Sequence, residues 1–382
     1  MSWPTPESLA VYIHWPFCAK KCPYCDFAVT VRAHVDEAAV VQALSRSLEH
    51  WAETYRRAGT VPRAHSIYFG GGTPSLMSAQ SVEMLLSQVQ HSFGTIERCE
   101  VTLEANPTDA ELERFAAYKA AGVNRLSLGV QSLDDTELLV LGRNHDADQA
   151  RRALDETARV FVNFSVDLMY ALPRQNTENW QARLDEVLAW RPPHVSLYQL
   201  TFEQGTVFEK AVSRGILKAF DQDAAADLYL TTVQQLEQAG LAGYEVSNHA
   251  KPGFESQHNL SYWRYQDYVG VGPGAHGRLS LGGRKHASEN LRAYSPWQDS
   301  ALGEGAGVLR FQPLGEQEAA EEAFLMSLRS TEGARLSEHL DLDSQRLDEL
   351  RQAGLIEGHA NSFRATREGW LVLDSLTGHL LA

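Results

Sequence analysis

Cysteine is scarce in this chain: four in 382 residues, three of them within the eight positions 18–25. That excludes a disulfide-stapled secreted scaffold, which needs more cysteines spread along a short chain. No charged-then-apolar leader precedes Cys18, so a reducing, cytoplasmic compartment is expected. Long apolar runs are lacking too, and none approaches the roughly 20 residues of a membrane span. Basic residues are in deficit, 34 Lys and Arg against 49 Asp and Glu, for a formal charge of −15. Nucleic acid is therefore not an expected partner, because phosphate contacts need a basic surface. A local basic pocket stays open.

What is present is concentrated. Cys18-Ala-Lys-Lys-Cys22-Pro-Tyr-Cys25 follows the extended apolar segment Val11–Phe17. Thiolates are the usual ligands of iron–sulfur clusters, and three of them on a four-iron cubane leave one iron open to a reactant. The alternative is zinc held by these thiolates with His14 or another histidine, although zinc sites favour paired Cys-x2-4-Cys ligands. Cys99 reads as a small buried side chain.

The hydrophobic content of 43% is enough for a sizeable core, and the length implies one large domain with one or two smaller ones. Apolar runs at 11–17, 66–70, 100–105, 125–130, 162–170 and 194–200 alternate with segments of helical period at 35–57, 79–93, 109–121, 134–141, 146–160 and 177–190. Strand and helix repeated about six times describe a parallel α/β sheet, either an open sheet or an incomplete barrel. The polar signatures favour a barrel. Cys18–Cys25, Gly70–Thr73, Glu104–Pro107, Gln131 and Asp167–Pro173 all fall near strand carboxyl ends, which a barrel gathers at one mouth.

Beyond Leu200 the pattern changes. Residues 208–239 read as a helix pair, while 244–285 are dense in His, Asn, Tyr, Trp and Gly with no sustained period. The glycine-rich 300–315 reads as a linker. A helix at 316–330, a second at 347–354 and a hairpin through 355–366 suggest a small winged helix. The acidic stretch 341–349 points it to packing or a homodimer contact rather than to DNA.

Tyr12-Ile-His-Trp-Pro-Phe-Cys18 through Cys25-Asp-Phe27 resembles radical S-adenosylmethionine (SAM) enzymes, in the group related to oxygen-independent coproporphyrinogen III oxidase. The resemblance extends along most of the chain. It implies an incomplete parallel (β/α)6 radical SAM barrel over residues 1–240, a haem-associated segment at 241–300, and a smaller α+β, winged-helix-like domain at 316–382. It further implies a 4Fe–4S cluster on Cys18, Cys22 and Cys25, whose electron, supplied by a donor, splits SAM into methionine and a 5'-deoxyadenosyl radical.

The glycine run 70–72 with Thr73 and Pro74 lets a backbone approach a ligand and offers amides to a carboxylate; Gly71, Gly72 and Thr73 resemble the family's loop for the methionine end of SAM. Tyr12, Tyr24 and Glu104 match positions near that cofactor. Gln131, Arg143 and Asp167 match a second SAM site. Arg174 replaces a usual glycine and is a candidate for an acidic group such as a propionate.

Phe27 stands where the oxidase has a further cysteine, and this departure points to the sister group, the HemW-type haem chaperones. His258-Asn259-Leu-Ser-Tyr262-Trp263 resembles that group's His-Asn-x-x-Tyr-Trp motif, and 270–276, Gly-Val-Gly-Pro-Gly-Ala-His, resembles it as well. The resemblance implies haem contacts through His258, Asn259, Tyr262 and Trp263, His258 first, with His249 as an extra candidate. The expected function is delivery of haem to a recipient haemoprotein such as a respiratory enzyme, which can be membrane-associated. The alternative is oxidative decarboxylation of coproporphyrinogen III.

Overall fold

A computed structural model describes residues 3–32, 34–335, 337–340, 342–359 and 362–381. Six parallel strands form its centre: β1 (Ser8–Trp15), β2 (Arg63–Gly71), β3 (Thr95–Ala105), β4 (Arg125–Gln131), β5 (Asn163–Tyr170) and β6 (His194–Gln199). They lie side by side in sequence order. β1 buries six of its eight residues, the near-continuous apolar strand of a sheet covered on both faces.

Helices α1 (Glu37–Arg57), α2 (Ala79–Ser92), α3 (Phe115–Ala120), α4 (Ala147–Val160), α5 (Thr177–Leu188) and α6 (Gln222–Gln238) join the large core. Their starts are written in sequence. Asp36 accepts from the Ala39 amide at 3.1 Å, and Asp146 and Gln149 form a capping box at the start of α4. The expected helix over 109–121 is instead two short pieces, Asp109–Leu112 and Phe115–Ala120.

Residues 241–313, expected as an irregular segment followed by a linker, continue the same sheet. β7 (Ala242–Gly243) and β8 (Asn248–Ala250) add beyond β6. β9 (Tyr268–Val271) pairs parallel to β1, and β10 (His276–Leu281), β11 (Arg284–Asn290) and β12 (Val308–Pro313) follow it antiparallel. The twelve strands run in the order β12-β11-β10-β9-β1-β2-β3-β4-β5-β6-β8-β7. The stretch expected as a linker therefore holds an edge strand. Its glycines cluster before β12, where the Trp297 ring leaves no room for a side chain at Gly307.

This sheet extension is tied down by a buried polar knot. Asp267 accepts from Lys285 Nζ at 2.7 Å, the Tyr55 hydroxyl at 2.7 Å, and the Ser280 amide and hydroxyl at 2.6 and 2.7 Å. A buried carboxylate so fully paired holds α1, β10 and β11 in one register.

The C-terminal part has its own core. α8 (Glu316–Leu328), α9 (Ser344–Gln352) and α10 (Leu373–Leu381) surround the antiparallel strands β13 (Ala334–Arg335), β14 (Ile356–His359) and β15 (Ser362–Ala365). Phe324, Leu328, Leu350, Phe363 and Leu376 are buried there. Of the acidic stretch 341–349, Asp341 lies outside the described residues.

Candidate functional site

The carboxyl ends of β2 to β6 and the cysteine segment enclose a cavity of about 460 Å3. It gathers eleven residues singled out in the sequence: Cys18, Cys22, Cys25, Tyr24, Gly71, Gly72, Thr73, Glu104, Gln131, Arg143 and Asp167. Parallel strands bring these distant positions together because each delivers its last residues to the same mouth.

Burial pushes the Cys18 thiol up to about 11, with a hydrogen bond to Thr73 offsetting part of the rise, and burial raises the Cys25 thiol as well. Both would have to lose a proton to ligate iron, so cluster assembly at these thiols would release protons. Arg143 ties the cysteine segment to the barrel. Its guanidinium reaches Cys22 Sγ at 3.7 Å and the Tyr24 hydroxyl at 3.4 Å, and also donates to Asn106 Oδ1 and, at 2.9 Å, to the Gly129 carbonyl.

Glu104 sits in the wall opposite. The Tyr68 hydroxyl donates to it at 2.8 Å and the Gly71 amide donates as well, yet burial, helped by Asp167, lifts its carboxyl to about 7. Asp167 accepts from the hydroxyls of Ser127 at 2.9 Å and Ser165 at 2.7 Å, and burial raises its carboxyl too. Gln131 has φ 64°, a strained value for a side chain other than glycine, and this bulged end of β4 faces the cavity. Gln131 Oε1 and Arg143 Nε are buried with no partner among the described residues. Unpaired polar atoms on a cavity wall are the kind that a ligand satisfies.

The glycine run differs from expectation in one respect. Its amides are already used: Gly71 donates to Glu104, Gly72 to the Trp15 carbonyl at 2.7 Å and Thr73 to the Phe17 carbonyl at 2.8 Å. The need for glycine lies elsewhere. A Cβ on Gly72 would fall 2.5 Å from the Phe17 carbonyl oxygen, and Gly71 has φ 106° with the His14 ring 2.5 Å from where its Cβ would lie. These glycines let the cysteine segment lie directly on β2.

Tyr12 is not in this cavity. It lines a second one of about 300 Å3, together with Tyr262, Tyr268, His276 and Arg292. Asp26 and Phe27, both exposed, line both cavities. The Tyr12 hydroxyl meets His14 Nδ1 at 3.1 Å, and His14 Nε2 meets the Ala28 carbonyl at 3.0 Å. With both ring nitrogens occupied, His14 does not stand as a fourth ligand beside the thiols. Among the described residues no three His, Cys, Asp or Glu side chains converge as a single metal ion would require; a cubane instead spreads its thiolates over separate irons.

The four expected haem contacts divide. They lie on α7 (Gln257–Trp263), whose first amides at 257 and 258 donate to the Glu100 carboxylate at 3.2 and 3.1 Å. His258 is buried: Nδ1 meets Ser66 Oγ at 3.1 Å, Nε2 meets the Tyr262 hydroxyl at 2.9 Å, and the ring stacks on Tyr68 at 4.9 Å. Burial, with lesser help from His65 and Arg125, pushes it down to about 3. It is thus a neutral ring with no free lone pair, and iron ligation would require Ser66 or Tyr262 to let go. Asn259 and Trp263 line neither cavity. The Trp263 ring lies under the Arg329 guanidinium at 5.1 Å, joining α7 to the C-terminal part. Only Tyr262 reaches a cavity. His249 is buried against Gly243, and Arg174, at φ 70°, is exposed outside both cavities. Cys99 is half-buried in β3, its thiol toward the Glu100 carbonyl.

Sequence reading missed Tyr68, Asn106 and Ser127 in the first cavity and Tyr268 and Arg292 in the second. Tyr68 was within reach, since it alternates with Gly70 on β2 and must face inward with it.

A family model of the radical SAM superfamily matches residues 12–187. Haem chaperone HemW of Escherichia coli is 35% identical over 383 residues, spanning 98% of each chain. This chain belongs to the HemW family of radical SAM proteins. The Bos taurus protein named radical S-adenosyl methionine domain-containing protein 1, mitochondrial, is 42% identical over 395 residues, covering 99% of this chain and 88% of that one. Coproporphyrinogen III oxidase (HemN) of Escherichia coli has the same fold, with a TM-score of 0.81 over 98% of this chain and 90% of that chain at 20% identity. This chain and HemN thus share the partial barrel with a C-terminal domain.

Proposed function

We propose that this HemW-family protein is a haem chaperone, which binds a 4Fe–4S cluster, SAM and haem and passes haem to a recipient haemoprotein such as a respiratory enzyme. The observation that carries the reading is the match over 98% of both chains to a protein named a haem chaperone. Phe27 supports it, placed where the oxidase group has a cysteine. Cys18, Cys22 and Cys25 would hold the cluster. Gly71, Gly72, Thr73, Glu104, Gln131 and Asp167 would line the SAM site, with Tyr24 and Arg143 bracing the cysteine segment. When bound, the cluster supplies an electron for SAM cleavage. The chain's own part would be to hold the sulfonium ligand against the buried carboxylates of Glu104 and Asp167, where burial strengthens the attraction. We place the protein in the cytoplasm, served by an electron donor, with the C-terminal part available for a homodimer contact. No helix among the described residues is long and apolar enough to cross a membrane.

The test uses protein reconstituted anaerobically. Hemin is titrated while the Soret band is followed, and coproporphyrinogen decarboxylation is assayed in parallel. Tight hemin binding without decarboxylation is expected. Decarboxylation without a stable haem complex would make this a porphyrin-synthesis enzyme. The triple variant Cys18→Ser, Cys22→Ser, Cys25→Ser should lose the cluster's visible absorbance, and retained absorbance would refute the ligand assignment.

A further inference from the structure

The second cavity holds none of the three cysteines and shares only Asp26 and Phe27 with the first, yet its chemistry is specific. Three tyrosines form its inner wall: Tyr12 from β1, Tyr268 from β9 and Tyr262 from α7, the last two edge to face at 4.7 Å. His276 stands at its rim, exposed, and neither ring nitrogen has a hydrogen-bond partner among the described residues. Arg292 stands there too. It donates one bond, at 2.6 Å, to the Asp26 carbonyl, which leaves most of its five donors for a ligand. The loop between β9 and His276 is packed tightly enough to fix the rim, since a Cβ on Gly274 would lie 2.9 Å from Ala28 and 3.6 Å from Arg292.

Aromatic walls, an uncommitted imidazole and a guanidinium fork are complementary to a flat iron macrocycle that bears carboxylates. We propose that haem docks in this second cavity, with His276 as an axial ligand of the iron and Arg292 opposite a propionate. The proposal rests on the haem reading above and locates it. The neutral imidazole gives a lone pair to the iron, with no change of oxidation state. His258 then acts as a positioning residue, since its Nε2 fixes the Tyr262 hydroxyl and so the wall on which the ring lies. A volume of about 300 Å3 is at the small end for ligand pockets, room for one edge of a porphyrin. The remaining edge faces outward, where a recipient can take hold of it.

The experiment titrates cluster-loaded protein with hemin and, separately, with metal-free protoporphyrin IX. His276→Ala should weaken hemin binding about tenfold or more and shift the Soret band, leave protoporphyrin affinity within about twofold, and recover its spectrum on addition of imidazole. Arg292→Gln should weaken both porphyrins. His276 is exposed, so its replacement leaves the fold intact. If His276→Ala keeps wild-type hemin affinity and spectrum while His258→Gln loses them, the ligand is His258 and the proposal fails alone. If wild-type protein binds no hemin, the haem reading fails with it.

Discussion

At the scale of single residues, Glu104 is the group most exposed to a pH test. Its carboxyl titrates at about 7 in the folded chain against 4.5 ordinarily, so the native state holds a proton that the unfolded chain has released. Stability from that proton is complete below about 4.5 and is lost as pH rises through 7, a difference on the order of 3 kcal/mol. Glu245, also lifted to about 7 by burial, adds to the same fall. In SAM-free protein, urea midpoints at pH 5 and pH 8 should therefore drop less for Glu104→Gln than for wild type. An equal drop in both would show that Glu104 titrates normally. The carboxylates and thiols of this cavity were legible in the sequence as chemistry in odd places, a Glu closing an apolar strand and three thiols in one turn. The partners of His258 were not. Only the fold sets Ser66 and Tyr262 on either side of its ring, and that turns an apparent free ligand into a packed one.

At the scale of elements, the six central strands could be read because parallel strands are continuously apolar and their helices keep a 3.6-residue period. β7 to β12 could not. β7, β8 and β9 are only two, three and four residues long, and the extension is seated through β8 on β6 and β9 on β1, partners distant in sequence. The glycine run after β2 was visible, but its reason was not. Gly72→Ala would drive a methyl group into the Phe17 and Trp15 carbonyls, both backbone atoms that cannot swing away. The expected outcome is a loss of about 2–4 kcal/mol in stability and defective cluster loading, read from thermal midpoint and iron content. Normal iron content and midpoint would mean that the segment 15–18 is free to retreat from β2.

For the whole molecule, the buried knot at Asp267 decides whether the sheet extension holds its place against the barrel. Asp267→Ala would strand the Lys285 ammonium among buried neighbours, at a cost of about 3–5 kcal/mol. Denaturant unfolding of the variant should show that loss. A change below about 1 kcal/mol would mean that water reaches the lysine. The C-terminal part is joined to the same extension by ion pairs, Arg278 with Glu322 at 2.7 Å and Arg264 with Glu332. Asp26 and Phe27, which line both cavities, have a thermodynamic consequence of their own. If an occupant of one cavity shifts these two residues, it changes the binding surface of the other, and linkage makes that influence mutual. By whatever factor a sulfonium ligand in the first chamber alters affinity in the second, the occupant of the second alters the hold of the first by the same factor. On the proposed assignment, loading of cargo and retention of cofactor would then be two readings of a single coupling free energy.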